Sequence, residues 1–454
     1  MPDIDQKNGI DMANIASING QDIAASGGAF DPVAGTGTYT ESVPTTGLIK
    51  IGGVSKSNPP DVYGIGDDII GFANGTDTVR NIGSDVDGYY NVVKENLPAG
   101  MGTPTIVDFG PYSSWIIDST GKLWRVGATL YGGTSANAGT ESTNYEWRQV
   151  TGVGDSDTAW TDVSVGSTTT LLINSGKLYA IGANSNGNFG NGTTSNGYNA
   201  FTQVGIDTDW VSVHVDFYNS YAIKGSSNVL YATGRNANGK CGNSTTSGNQ
   251  TTFTAVTATN LVSATNNNFT FVASSRNNVL AIQSGRAFFW GDASSSFEAF
   301  GDNITGDQTI PVQSGKVSGT LQTDWSRGCV SDRYSLLINT SGELYHAGEG
   351  SYYVAMDGTQ DAHKDGDHVQ TGTDTDWQDV KVQKNYTFST SGLARKNNQI
   401  IYTGFNTYGR IADSTQAYTT SPITVLQTVS SNDAWGVSST STNENTKFVF
   451  GYST

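Results

Sequence analysis

Hydrophobic and polar positions alternate along the chain in short runs that end on glycine. A typical copy is Gly176-Lys-Leu-Tyr-Ala-Ile-Gly182, which reads as a turn, a β-prone run and a closing glycine. Successive closing glycines are 52 to 61 residues apart, and such a steady spacing indicates one repeated supersecondary unit. The closing glycines are Gly66, Gly127, Gly182, Gly234, Gly291, Gly348 and Gly404.

Each period carries three further β-prone runs. We take a Phe run such as Phe201–Val204 as the start of a period, followed by a run that begins with Trp and by a third run such as Thr170–Ile173. The Trp runs begin at Trp160, Trp210, Trp325 and Trp377. Four short strands in about 55 residues predict one antiparallel blade of a β-propeller.

The two ends of the chain predict closure of the ring. Only 50 residues follow Gly404, which leaves room for three strands, and the fourth is expected from Val62–Gly66. The predicted fold is therefore all-β, a seven-bladed β-propeller closed by N- and C-terminal strands. Residues 46–454 form the propeller, and residues 1–45 are predicted to form an extended N-terminal arm. Closure of this kind would leave no sheet edge open.

The segment Lys177-Leu-Tyr-Ala-Ile-Gly182-Ala-Asn184-Ser-Asn-Gly187 resembles the regulator of chromosome condensation repeat. The resemblance extends over residues 46–454, and it implies a seven-bladed propeller whose loops bind other macromolecules. It leaves the partner open, because proteins with this scaffold serve different functions. We expect Asn two residues and Gly five residues after the closing glycine, as at Asn184 and Gly187, to adopt positive φ.

Composition excludes several classes of partner and location. The net charge of −17 opposes binding to nucleic acid, whose phosphates are also negative. We find no signal peptide and no membrane-length apolar stretch, and we expect the protein to be made in the host cytoplasm. Cys241 and Cys329 are 88 residues apart without metal-like spacing, so we expect free thiols.

Motifs for catalysis and cofactors are missing from the sequence, which predicts a non-enzymatic protein without a cofactor. Gly234–Cys241 approaches a phosphate-binding loop, but Cys241 stands where Ser or Thr is needed. We expect no metal site. The nearest candidates read as a solvated acidic turn; they are His363, Asp365, Asp367 and His368.

Tyrosines provide the candidate binding residues. Tyr131, Tyr352 and Tyr408 each follow a closing glycine by four residues, and Tyr353 adjoins one of them. The shared offset predicts that they lie on one face, where tyrosine commonly anchors a partner. The alternative is that each ring packs against its own turn.

The first 45 residues loosely resemble the leaders of tailed-bacteriophage structural proteins. We therefore predict a virion structural protein whose arm binds other virion proteins and whose propeller is displayed. Its role would be host-surface contact through a protein or glycan, or decoration of a capsid, tail or baseplate. Two alternatives stay open: a free protein- or glycan-binding propeller, such as an inhibitor or adhesin, and a polysaccharide-degrading enzyme.

Overall fold

The computed structural model describes the middle of the chain most completely. Residues 143–293, 299–304, 306–348 and 366–382 are continuous, and residues 100–102, 104–109 and 113–128 precede them. Met356 and the separate strands given below complete the described residues. In this part of the chain the regular structure is almost entirely β, with short 3-10 helices at Ala237–Gly239 and Val262–Ala264. No helix there is long and apolar enough to span a bilayer.

The strands are mostly short. Those before residue 150 are β1 (Ser17–Ile18), β2 (Gln21–Asp22), β3 (Gly47–Ile51), β4 (Val93–Lys94), β5 (Pro104–Phe109), β6 (Ser113–Asp118), β7 (Leu123–Ala128) and β8 (Thr143–Gln149). The next twelve are β9 (Trp160–Val165), β10 (Thr169–Asn174), β11 (Lys177–Gly182), β12 (Gly197–Val204), β13 (Trp210–Val215), β14 (Asn219–Lys224), β15 (Val229–Arg235), β16 (Asn249–Ala255), β17 (Phe269–Ser274), β18 (Asn278–Gln283), β19 (Arg286–Gly291) and β20 (Gln308–Ser314). The last twelve are β21 (Lys316–Val317), β22 (Thr320–Leu321), β23 (Trp325–Val330), β24 (Tyr334–Asn339), β25 (Leu344–Gly348), β26 (Val369–Gln370), β27 (Trp377–Val382), β28 (Ser391–Lys396), β29 (Gln399–Gly404), β30 (Thr419–Gln427), β31 (Asp433–Gly436) and β32 (Val449–Ser453).

Within the described residues these strands form seven four-stranded antiparallel sheets and two small hairpins, β1–β2 and β21–β22. The first to sixth sheets are β5–β8, β9–β12, β13–β16, β17–β20, β23–β26 and β27–β30. The seventh, here called the terminal sheet, has the order β31-β32-β3-β4. The prediction of an all-β chain built from four-stranded antiparallel sheets is confirmed.

The predicted order of strands within a sheet is wrong by one strand. The Phe run does not begin a new sheet, because Gln203 pairs with Tyr179 and Thr202 with Ala180 of the preceding closing-glycine strand. The Trp strand therefore comes first in the second, third, fifth and sixth sheets, and the Phe run is the fourth strand of the second and third sheets. The short turn at residues 205–209 crosses from one sheet to the next, although its length suits a hairpin.

The predicted N-terminal partner is also corrected. The strand paired with Val449–Ser453 is Gly47–Ile51, with Ile49 opposite Gly451, and not Val62–Gly66. Gly47-Leu-Ile-Lys-Ile-Gly52 has the spacing of the repeat, with a turn glycine and a closing glycine around β-prone residues. Gly66 lies outside the described residues. In the terminal sheet, two strands come from each end of the chain.

Hydrophobic core lies between neighbouring sheets. Between the second and third sheets, Leu171 and Ile173 of β10 form a cluster with Trp210 and Val215 of β13. Equivalent clusters join the first sheet to the second, the third to the fourth, the fourth to the fifth, and the fifth to the sixth. The second, third, fourth and fifth sheets therefore bury apolar surface against the sheet on either side, which is the main stabilising contribution available to such a fold.

The repeated tryptophans link four of the sheets to the sheet that precedes each of them. The backbone N–H of Trp210 donates to the carbonyl of Gly176, in the turn between β10 and β11, at 3.0 Å. The same bond recurs from Trp160, Trp325 and Trp377 to Gly121, Gly285 and Gly342. The Trp210 ring is buried against Tyr231 and Phe253 of its own sheet, at centroid distances of 5.6 and 5.3 Å.

First strands of neighbouring sheets are also linked directly. Ser164 Oγ accepts the backbone N–H of Val215 at 2.9 Å, and Asp162 accepts that of Val213 at 2.8 Å. The Asp108 carboxylate likewise accepts the backbone N–H of Val165 at 2.7 Å. Burial, with Asp108 nearby, raises the pKa of Asp162 to about 7. These bonds fix the relative height of adjacent sheets.

The closing glycines have a steric cause. Gly182, Gly234, Gly291 and Gly348 have φ of 111°, 109°, 110° and 101°, which L-residues with a side chain rarely adopt. A Cβ at Gly291 would also overlap the carbonyl oxygen of Asn277 in the adjoining turn. Both constraints demand glycine at Gly291, and the same φ region recurs at the other three of these closing glycines.

Candidate binding face

Two sets of loops leave the sheets at the same end. In the third sheet, Asn219 pairs with Gly234, so the turn at residues 216–218 lies beside the loop that starts at Arg235. Loops of one sheet contact the neighbouring sheet at this end, as where the Gly192 N–H donates to the carbonyl of Thr251 in β16 at 2.7 Å. We call this end of the sheets the loop face. The opposite end, with the turns between second and third strands, is the turn face.

The repeated asparagine organises each loop, but not through positive φ. Asn236 has a φ of −106°, which corrects that expectation. Its side-chain oxygen accepts the Cys241 N–H at 3.0 Å, and its amide donates to Thr245 Oγ1 at 2.7 Å. Asn184 repeats the arrangement with the Phe189 N–H at 2.8 Å. The glycines behave as predicted, since Gly187 and Gly239 have φ of 80° and 77°.

The predicted tyrosine anchors remain predictions. Tyr131, Tyr352, Tyr353 and Tyr408 lie outside the described residues. At the same offset in the second and third sheets the chain has Asn186 and Asn238, which are half-buried residues of loop-face loops.

The weak metal candidates do not form a site in the part of the chain that the structure describes. His363 and Asp365 lie outside it. Asp367 accepts the Gly319 N–H, whereas His368 is buried with its Nε2 3.2 Å from Ser335 Oγ. No group of three or more metal-capable side chains occurs among the described residues.

His368 is a core residue and not part of a solvated turn. Its ring packs near Phe289 and Trp325, at centroid distances of 6.1 and 6.2 Å. Burial, with His346 nearby, lowers the pKa of His368 to about 3. The imidazole is therefore neutral in the folded protein at any ordinary pH.

This burial predicts acid sensitivity. The pKa of His368 is lower in the folded chain than the usual value of about 6.5 in the unfolded chain, so acid favours unfolding. The loss begins as the pH falls through about 6.5 and reaches about 2 kcal/mol at pH 5. Urea titrations at pH 7 and pH 5 should show a larger drop for the wild type than for His368→Gln. Equal drops would contradict a buried neutral histidine.

Both cysteines are buried and free, as expected. Burial raises the pKa of Cys241 to about 12 and raises the pKa of Cys329 still further. Their thiols are therefore protonated and inaccessible, which makes them poor nucleophiles.

Lys240, the lysine of the phosphate-loop-like segment, lies in a buried ion pair. Its Nζ is 2.5 Å from Asp216 Oδ2, and the exposed fractions of the two side chains are 4% and 0%. The ammonium also donates to the carbonyls of Ser275 at 2.7 Å and Arg276 at 3.0 Å. With its three donors engaged, Lys240 is not available to a phosphate.

The ion pair connects loop-face turns of two neighbouring sheets. Asp216 Oδ1 accepts the N–H groups of Tyr218 and Asn219 at 2.9 Å each, which holds the first turn. Lys240 connects that turn to the one at residues 275–277 of the fourth sheet. Sequence reasoning missed this network, because its members come from three separate loops.

Comparison with solved structures identifies the fold that these sheets form. Human WBSCR16 superposes with a TM-score of 0.68 at 14% identity, over 90% of this chain and 98% of that one. Yeast RCC1 (Prp20), solved bound to Kap60, gives a TM-score of 0.64 at 11% identity, over 91% and 90% of the two chains. The chain has an RCC1-like β-propeller fold.

A second structure of the yeast propeller agrees. Prp20p from Saccharomyces cerevisiae, described with its binding to Gsp1p and histones, gives a TM-score of 0.63 at 12% identity, covering 91% of this chain and 92% of that one. No protein-family model and no curated protein matches the chain. At these identities the likeness establishes the fold alone. The RCC1-type part of the sequence resemblance is thereby confirmed.

Proposed function

We propose that this propeller is a non-enzymatic protein-binding module that contacts its partner through the loop face. The observation that carries the proposal is the preorganised loop face, where an ion pair and buried asparagines fix loops from successive sheets. Rigid loops lose little conformational entropy on binding, which favours recognition. The yeast RCC1 propeller, which shares the fold, was solved in complex with the protein Kap60.

We further propose that the propeller is closed and has seven blades. The support is the pairing of Gly47–Ile51 with Val449–Ser453, which joins the chain ends in one sheet, and the presence of seven four-stranded sheets. Closure of this kind removes exposed sheet edges. Electron-microscopy averages viewed along the ring axis test the proposal, because they should show seven blades and no gap.

At the finer level, we propose that the protein is a structural component of a tailed-phage virion. The support is the leader of residues 1–45, whose composition differs from the repeat and resembles phage leaders. In this proposal the leader binds other virion proteins. The propeller is displayed, with Tyr131, Tyr352, Tyr353 and Tyr408 as further loop-face anchors.

Deletion of residues 1–40 is expected to abolish incorporation into particles, because the leader supplies the docking contact. The deletion ends before Gly47, so the terminal sheet keeps its strands and the melting temperature should stay unchanged. Mass spectrometry of purified particles measures incorporation, with the full chain as the control. Equal incorporation of both chains, or absence of the full chain from particles, would overturn the virion assignment.

A further inference from the structure

A cluster of two arginines and two aromatic rings lies on the loop face, directly above the buried ion pair. The Phe217 and Tyr218 rings have centroids 4.9 Å apart. The Arg235 guanidinium lies 5.1 Å from the Tyr218 ring, and that of Arg276 lies 5.9 Å from the Phe217 ring. Arg235 is exposed and the other three are half-buried. We call these four residues the Arg–aromatic patch.

The geometry suits a carboxylate ligand. A guanidinium stacked on an aromatic face is held in plane, while its N–H groups point outward from its edge. That planar fork matches the two oxygens of a carboxylate, and the neighbouring ring offers apolar contact to the rest of the ligand. Within the described residues, no carboxylate forms an ion pair with Arg235.

The buried ion pair preorganises the patch. Asp216 holds the backbone of Tyr218, and Lys240 binds the Arg276 carbonyl, so both halves of the patch rest on one ion pair. The Asp216 carboxylate is balanced by Lys240 and accepts two backbone N–H groups. It therefore leaves the positive charge of Arg235 available to a ligand.

Charge makes the patch unusual for this protein. The chain has a net charge of −17 and only ten arginines, so the exposed Arg235 guanidinium is a local cationic point on the loop face. Repulsion from distant carboxylates is screened beyond about 8 Å at physiological ionic strength. A segment with spaced carboxylates can therefore bind here, whereas a dense polyanion is repelled by the surrounding carboxylates of the protein.

We propose that the Arg–aromatic patch binds an acidic segment of a protein partner, with Arg235 holding a Glu or Asp carboxylate. This inference rests on the proposed protein-binding function and specifies the chemistry of the partner. A protein segment is favoured over a glycan because the patch offers one exposed guanidinium, Arg235, which suits a single side-chain carboxylate.

The test uses the full chain and a short fluorescein-labelled peptide in which Glu alternates with Gly. We expect saturable binding by fluorescence anisotropy, and loss of at least about tenfold in affinity for Arg235→Gln, since a charge-assisted bidentate bond is removed. Arg286→Gln is the matched control, because Arg286 begins β19 beside the turn face. It should bind like the wild type, and both variants should melt like the wild type.

Three outcomes of the peptide experiment would overturn the proposal. They are absence of peptide binding, equal binding by Arg235→Gln and Arg286→Gln, and equal binding of a peptide with Gln in place of Glu. Binding of polygalacturonate without binding of the Glu peptide would assign the patch to an acidic glycan instead. If Arg235→Gln still binds the native partner with wild-type affinity, this inference fails while the proposed protein-binding function stands. If no protein partner binds the full chain, the proposed function itself fails.

Discussion

Lys240→Met is expected to lower the free energy of unfolding by about 3–5 kcal/mol, because it leaves the Asp216 carboxylate buried without its counter-charge. The substitution also removes the donors that bind the Ser275 and Arg276 carbonyls, so two loops lose their connection. Chemical denaturation followed by tryptophan fluorescence measures the change. We expect the double variant Lys240→Met/Asp216→Asn to recover part of the loss, since it removes the unpaired charge.

Lys177→Met is the matched control for that experiment. Lys177 forms an ion pair with Asp155 at 2.8 Å, but neither side chain is buried, with exposed fractions of 25% and 48%. Exposed pairs contribute little to stability, so this variant should unfold close to the wild type. Similar losses for the two lysine variants would mean that the Lys240 pair does not carry the loop face.

Gly291→Ala is expected to destabilise the protein by about 4 kcal/mol or more, because strained backbone and steric overlap act together. The new Cβ would meet the Asn277 carbonyl oxygen, a backbone atom that cannot move without disturbing the turn between β17 and β18. The unfolding midpoint in urea measures the effect.

Gly306→Ala separates the cost of backbone strain from the cost of steric overlap. Gly306 has a φ of 75°, yet no heavy atom lies within 4 Å of a Cβ built there. It should therefore show only the backbone cost, about 1–2 kcal/mol. If Gly291→Ala and Gly306→Ala lose the same stability, steric overlap is not the reason that the repeat requires glycine.

The repeat landmarks were predictable from sequence because they respond to local constraints. A closing glycine such as Gly291 is required by its own φ and by the adjoining turn, so it recurs at a steady spacing. A Trp recurs at the position of Trp210 because its ring packs within its own sheet, while its backbone N–H donates to the turn of the preceding sheet. Spacing alone was therefore enough to predict four-stranded antiparallel sheets.

The strand that begins each sheet was not predictable from the same pattern. A period of four strands looks identical whichever strand is counted first. The five residues from Gly205 to Asp209 suit a hairpin as well as a crossing between sheets. At the N-terminus, Val62–Gly66 carries the Tyr of the repeat and was predicted to pair, whereas the strand that pairs is Gly47–Ile51, which lacks that Tyr.

The loop-face chemistry was the least predictable part. Phe217, Arg235 and Arg276 do not share one repeat offset, and only the packing of the third sheet against the fourth brings them together. Nothing in the sequence indicates that Lys240 lies in a buried ion pair, because its partner, Asp216, is 24 residues away. Local composition marked His368 as solvated, whereas packing against the fifth sheet buries it.

The most direct test of the central claim, protein binding through the loop face, is hydrogen exchange of the full chain with and without its partner. The partner is the protein that co-purifies with the full chain from its native source. We predict slower exchange on binding at residues 216–218, 235–248 and 275–277 of the loop face. The turns at residues 174–176 and 284–285 of the turn face should exchange as in the free chain. Slowing confined to the turn face, or no slowing in either set, would contradict the account.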